Sequence, residues 1–356
     1  MTQILDGGAS AVLETSFRPC DGPLFVVGMF RSGTSLLYAL LNQHPEIALM
    51  YEGDLSHLPS LFWIPTDTPK WMAKWEFWNT APSRHKIDIS RIPSGISDLQ
   101  SAVREVYVEY ARQKKRATVW GCKSPTYFDE ISRLARTFPN ARFIIIWRDL
   151  RNIIGSVVKA AEEPTFFSRK GMNIRVLLGY YEMKVETERA VKQGAKVHQI
   201  HYEELVHDPS ATMQGICDFL GLAFDPKMAA LESADRSAIE KARHHAQILN
   251  ETRVVSKKDP VSLPPALEAK IYRYLHMWRE QYRGAWPVYP RVIPAAVTKP
   301  GFREQLWDSL RYRCLQAWTH VTPIVFSLIP PSLWEVYRTF RGRPYAKKSA
   351  FNSNSQ

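Results

Sequence analysis

One stretch limits what this chain can become more than any other: residues 24–41, which read LFVVGMFRSGTSLLYALL. Four apolar residues, Leu24 to Val27, run into Gly28, and after Gly33 the leucines Leu36, Leu37, Leu40 and Leu41 recur at helical spacing. The pattern predicts a buried strand, a tight loop and an amphipathic helix. In such a loop the backbone N–H groups of Arg31, Ser32, Gly33, Thr34 and Ser35 converge, the helix N-terminus adds partial positive charge, and Arg31 adds a full one. The stretch is an anion site. Gly28 and Gly33 keep Walker spacing, but Thr34 stands where the phosphate-binding lysine belongs, and Asp149 follows Arg148, a poor neighbour for a magnesium ligand. ATP or GTP hydrolysis is therefore disfavoured.

Further along, apolar runs alternate with helical patterns. Ile47 to Met50 read as a short strand that delivers Glu52 to its C-terminal end. Thr118 to Gly121 lead into Lys123, with a helix expected to about Thr137. Phe143 to Trp147 suit a buried parallel strand ending in Arg148, and the helix after it carries Ser156. Helical patterns follow at 172–193 and 210–222, with a strand at 196–200 between them, and a last core helix runs from about Pro265 to Tyr282. This order predicts an α/β protein, a P-loop-like three-layer fold with a central, mostly parallel sheet flanked by helices, plus a C-terminal helical tail. In open sheets of this kind ligands sit beyond the carboxyl ends of the strands, so Glu52, Lys123 and Arg148 should share a rim with the loop. Arg148 and Ser156 offer a forked cation and a hydroxyl to a second phosphate.

Charge is the unusual part of the composition. Lys and Arg number 47 against 35 Asp and Glu, a net charge of +12, which suits an anionic ligand, nucleic acid or an anionic membrane. Neither an RNA-binding aromatic signature nor a helix-turn-helix is visible, so no nucleic-acid partner is expected. The four cysteines are widely spaced and read as reduced, and the His244–His245 pair has no second ligand pair at zinc spacing, so no metal is expected. The basic cluster Arg112 to Arg116 reads as a solvated helix end. The aromatic stretch 62–78 is either a satellite hydrophobic cluster or part of an acceptor pocket.

Taken together, GMFRSGTS at 28–35, His44-Pro45, GCKSP at 121–125, FPNARFIIIWR at 138–148 with Ser156, YEEL at 202–205 and FLGL at 219–222 resemble the sulfotransferases that use 3′-phosphoadenosine 5′-phosphosulfate, PAPS. The resemblance spans about residues 23–282. It implies that Arg31 to Ser35 hold the 5′-phosphosulfate and that Arg148 and Ser156 hold the 3′-phosphate. Tyr202, Ser256 and Lys257 are placed with them as cofactor-binding residues. The spacing from Arg31 to Glu52 is similar to that of the tyrosylprotein branch, which makes Glu52 the general base, with Lys123 stabilising the bridging oxygen. A further arginine of that branch has no counterpart, since Lys159 and Ala160 stand in its place. The implied reaction moves a sulfuryl group to a hydroxyl on a glycan, a tyrosine, or a lipid or hydrophobic alcohol. The competing reading is a nucleotide-dependent kinase on the same fold.

The expected organisation is a lead segment at 1–22, the PAPS-binding domain at 23–282, an apolar and basic extension at 283–346 and a disordered tail at 347–356. Residues 314–334 carry no Asp, Glu, Lys or Arg, and they are interrupted by Pro323, Pro330 and Pro331. Basic flanks suit this stretch to a membrane surface rather than a span, with packing on the domain as the other reading. With no signal segment visible at the N-terminus, the expected location is cytoplasmic, with membrane association.

Overall fold

The computed structural model describes residues 18–53, 85–88, 91–93, 96, 99–115, 117–239, 245–254, 262–282 and 297–327. The aromatic stretch 62–78, and Ser256 and Lys257, lie outside them. Strand β1 (Leu24–Gly28) is fully buried and feeds α1 (Thr34–Leu41), β2 (Ile47–Tyr51), α2 (Leu99–Lys115) and β3 (Val119–Lys123). After a 3-10 turn at Pro125–Asp129 come α3 (Ile131–Thr137), β4 (Arg142–Trp147), α4 (Leu150–Ala160), α5 (Met172–Lys192) and β5 (Lys196–His201). Five further helices follow: α6 (Tyr202–His207), α7 (Pro209–Leu220), α8 (Ala246–Asn250), α9 (Pro265–Gln281) and α10 (Phe302–Ser327).

The five strands form one parallel sheet in the order β2-β3-β1-β4-β5. Alternation along each strand decides which layer a residue joins. Phe25, Val27, Phe143, Ile145 and Trp147 face a core shared with α2, α3, α4, α5 and α9, whereas Leu24, Val26, Ile144 and Ile146 face a core shared with α1, α6 and α7. Burial on both faces explains why the central strands read as continuous apolar runs. Register also builds the site, because Tyr51 pairs with Lys123 and Gly28 with Ile146, bringing the strand ends level.

Three expectations change. The helix expected before Thr137 is two pieces, because Ser124 caps the 3-10 turn and α3 starts afresh, with Ser132 N and Oγ both bonded to Glu186 on α5. Lys115 is no solvated helix end: its Nζ donates to the carbonyls of Asn42 (2.5 Å) and His44 (2.7 Å), closing the C-terminus of α1. Burial lowers its pKa to about 8. Pro323 does not break the tail, since α10 runs through it to Ser327 and forgoes one backbone bond. Among the described residues, no helix is long and apolar enough to cross a membrane.

Candidate active site

The loop after β1 turns on two left-handed residues, Arg31 (φ 68°) and Gly33 (φ 105°). Glycine is required at 33 twice over. The backbone is one a side chain resists, and an added Cβ would lie 2.4 Å from Cδ2 of Tyr202. Glu52, at the end of β2, also has a positive φ, 50°. Left-handed non-glycine residues are uncommon, and among the described residues two of the three belong to this rim.

Arg31 and Arg148 share one structure. Arg148 Nη1 donates to the Arg31 carbonyl at 2.8 Å and its guanidinium lies 4.1 Å from the centre of the Tyr202 ring. Arg31 Nε donates to Ser156 Oγ at 3.1 Å. The two anion motifs are therefore fused, and Ser156 reaches the loop because α4 runs back across the end of β4. Burial, and then the Arg148 charge, lower the Arg31 pKa to about 10. Among the described residues no carboxylate pairs with Arg148. Its buried Nε and the buried Ser32 Oγ have no hydrogen-bond partner.

Glu52 and Lys123 make the opposite arrangement. Lys123 is fully buried, donates from Nζ to Glu52 Oε1 at 2.7 Å and sits 3.4 Å over the Tyr51 ring. Burial opposes its charge, but Glu52 and Tyr51 together outweigh burial and hold the ammonium above its usual pKa. The Glu52 side chain keeps 32% of its surface exposed, so its carboxylate stands over the buried lysine with access to solvent. Glu52 N is fixed by the Lys123 carbonyl at 2.8 Å. Tyr51 is tied in turn to the loop through Ser35 Oγ, 2.9 Å from its hydroxyl.

A cavity of about 720 Å³ opens over these groups, and Arg31, Gly33, Thr34, Ser35, Glu52, Arg148 and Tyr202 line it. Ser32, Lys123 and Ser156 are not in its lining, but Lys123 bonds Glu52 and Ser156 bonds Arg31, which are. The cavity also brings in residues that motif reading missed. Phe30, Phe166, Phe167 and Arg169 form one wall, and Leu231, His245, Ile248 and Arg253 belong to the lining too. Phe30 packs at 5.5 Å against Phe166, and the Arg31 guanidinium lies 5.7 Å from Phe167. Only Phe166–Ser168, a short aromatic 3-10 turn between two helices, carried a usable sequence signal. Lys159, by contrast, points to solvent. Among the described residues no group of His, Cys, Asp or Glu could hold a metal ion.

A loop of this shape at the carboxyl ends of parallel strands, with a second cationic cluster fused to it, defines a P-loop-like α/β protein with the geometry of an anion site. More narrowly, the chain belongs to the sulfotransferase family, whose model matches residues 23–226. It is 25% identical over 268 residues to protein-tyrosine sulfotransferase A of Caenorhabditis elegans, covering 72% of this chain and 64% of that protein. It is 24% identical over 249 residues to the omega-hydroxy-beta-dihydromenaquinone-9 sulfotransferase Stf3 of Mycobacterium tuberculosis, covering 57% of this chain and 63% of that one. The chain thus spans just under two thirds of either relative's length. The solved sulfotransferase domain from the curacin biosynthetic pathway superposes with a TM-score of 0.48 at 20% identity, covering 76% of this chain and 100% of that domain.

Proposed function

We propose that this chain transfers a sulfuryl group from PAPS to an acceptor hydroxyl, with the donor held across the fused Arg31–Ser156–Arg148 cluster. That fusion is the observation that carries the reading. Two guanidinium groups in one cluster, Arg148 with no carboxylate among the described residues, suit a ligand that carries more than one anionic group, and PAPS carries a phosphosulfate and a phosphate. The buried Ser32 Oγ and Arg148 Nε are groups that anionic oxygens would satisfy. The loop N–H groups and Arg31 receive the phosphosulfate, and Arg148 and Ser156 receive the 3′-phosphate. Tyr202 flanks the donor, and the family resemblance assigns Ser256 and Lys257 to it as well.

In the reaction the acceptor oxygen bonds to sulfur as the bond from sulfur to the bridging phosphate oxygen breaks. The acceptor proton goes to Glu52, and negative charge builds on the bridging oxygen. Lys123 holds and aims Glu52 before transfer. Once Glu52 is protonated the ammonium has lost its counter-charge and turns to the bridging oxygen. The homology fits two acceptor classes, since one relative is named for protein tyrosine and the other for a menaquinone alcohol. The domain boundaries at 23 and 282 belong to the same proposal.

The test is transfer of labelled sulfate from PAPS, in EDTA, to a panel of a tyrosyl peptide, a sugar and a long-chain isoprenoid alcohol. Transfer to at least one is expected. No transfer, together with magnesium-dependent turnover of ATP, would select the kinase instead.

A further inference from the structure

Helix α10 has two faces of opposite character. Inward, Asp308 accepts from Lys270 Nζ at 2.6 and 2.9 Å and from the Tyr274 hydroxyl at 2.9 Å, Glu304 accepts from Arg273 at 2.7 Å, and Gln316 bonds Asp129. These contacts fix the rotation of the helix. Outward stand Phe302 (80% exposed), Leu306 (46%), Trp307 (71%) and Leu310 (46%), four of the five large hydrophobic residues exposed among those described. Scattered exposed apolar residues need no explanation, but four within three turns on one helix face form a patch.

The charges on α10 are sorted in the same way. Its acidic residues, Glu304 and Asp308, turn inward and are paired, while Arg303, Arg311 and Arg313 are exposed. Arg303 and Arg311 lie one turn either side of Trp307. An apolar stripe with an indole at its centre and only cations beside it is complementary to an anionic bilayer, where the rings enter the headgroup region and the guanidinium groups meet phosphate. A protein partner matched to the apolar stripe alone would not require all the acids to face away.

We propose that the outer face of α10, centred on Trp307, docks on an anionic lipid surface. The contact is one helical segment earlier than the apolar stretch 314–334 that the sequence singled out. Its place in the fold is informative. Leu315 packs where a Cβ on Gly171 would lie 3.0 Å away, two residues beyond Arg169 of the cavity wall. The proposal is independent of the sulfuryl-transfer reading.

The test is flotation of the full chain with phosphatidylcholine–phosphatidylserine vesicles and with pure phosphatidylcholine vesicles, at low and at physiological salt. The chain should float with the anionic vesicles only, and less as salt rises. Trp307→Glu combined with Leu310→Glu should abolish flotation while leaving the thermal melt in place. Arg303→Ala and Arg311→Ala should each lower the partition coefficient roughly fivefold, and they carry the test should the double variant misfold. Equal flotation on both vesicle types, no flotation, or flotation insensitive to these variants overturns the proposal. A lipid-free dimer that Trp307→Glu dissociates gives the face to a second copy and overturns it too.

Discussion

Two charged pairs stand on the same strand-end rim and are built on opposite principles. Lys123 and Glu52 are unlike charges 2.7 Å apart, with the lysine fully buried and stacked on Tyr51. Arg31 and Arg148 are like charges, joined by a backbone carbonyl rather than by a carboxylate, and the repulsion shows in an Arg31 pKa lowered to about 10 by burial and by Arg148. A buried ion pair is satisfied by the fold itself, and a lone buried lysine would carry several kcal/mol of desolvation without it. Arg148, whose buried Nε has no hydrogen-bond partner among the described residues, is left for a ligand to complete. On the proposed reaction, the difference separates the part of the site that must be ready before the acceptor arrives from the part that is finished by the donor.

The unlike pair breaks most visibly in turnover. Glu52→Gln keeps the shape and a hydrogen-bonding oxygen for Lys123 but cannot take a proton. Turnover with PAPS should fall by about 10²–10⁴, while the affinity for 3′-phosphoadenosine 5′-phosphate, measured by calorimetry, stays within a few-fold of the parent. Unchanged turnover would remove Glu52 from the chemistry. The like pair breaks in affinity instead. A hydrogen bond to a charged group contributes about 1.5–3 kcal/mol, so Arg148→Ala should weaken that bisphosphate by roughly ten- to a hundredfold. Adenosine 5′-phosphate, which lacks the 3′ group, should be affected far less. An equal loss for both nucleotides would place Arg148 on the other phosphate.

These pairs also mark where sequence reasoning works and where it stops. Strand, loop and helix around Arg31 were legible because apolar runs and glycine spacing are local, and Glu52, Lys123 and Arg148 were legible because the ends of buried strands are easy to locate. What joined them was not. The bond from Arg31 to Ser156 spans 125 positions, and only the sheet order reveals it. Phe166, Phe167 and Arg169 reach the cavity from a turn between two helices, and His245 and Arg253 from a region without a strong period. Lys115 looked like any basic helix end until its two carbonyl partners were placed by the packing of α2.

A change at the hinge of the loop should act on stability as well as binding. Gly33→Ala forces a side chain into the left-handed region and against Tyr202, whose ring also supports Arg148. Strain of this kind contributes about 1–3 kcal/mol, so the urea midpoint should drop with an unchanged slope, and bisphosphate affinity should drop with it. A variant that binds normally would mean that Tyr202 moves aside freely and has no part in holding Arg148.

The smallest effect comes from a second like-charged pair, in which burial raises the pKa of an acid. Asp149 Oδ1 accepts from Asn152 N at 2.8 Å and caps α4, the helix that carries Ser156, while Asp149 N donates to Glu203 Oε1 at 3.0 Å. Burial pushes the Asp149 carboxyl up from 3.8 to about 6; the Asn152 N–H opposes this, and the Glu203 charge adds to it. An acid raised in this way prefers its protonated form in the folded state. Its contribution to stability is complete below pH 3.8 and is lost as the pH climbs through about 6. Asp149→Asn retains a capping oxygen and carries no charge at any pH. The variant should therefore show a flatter dependence of the urea midpoint on pH across that window, and at neutral pH it should be no less stable than the parent. Bisphosphate affinity should hardly change, because the cap and hence the position of Ser156 are kept. A slope identical to the parent's would assign the titration to another group and leave the arginine pair as the one like-charged contact of the rim with a measurable consequence.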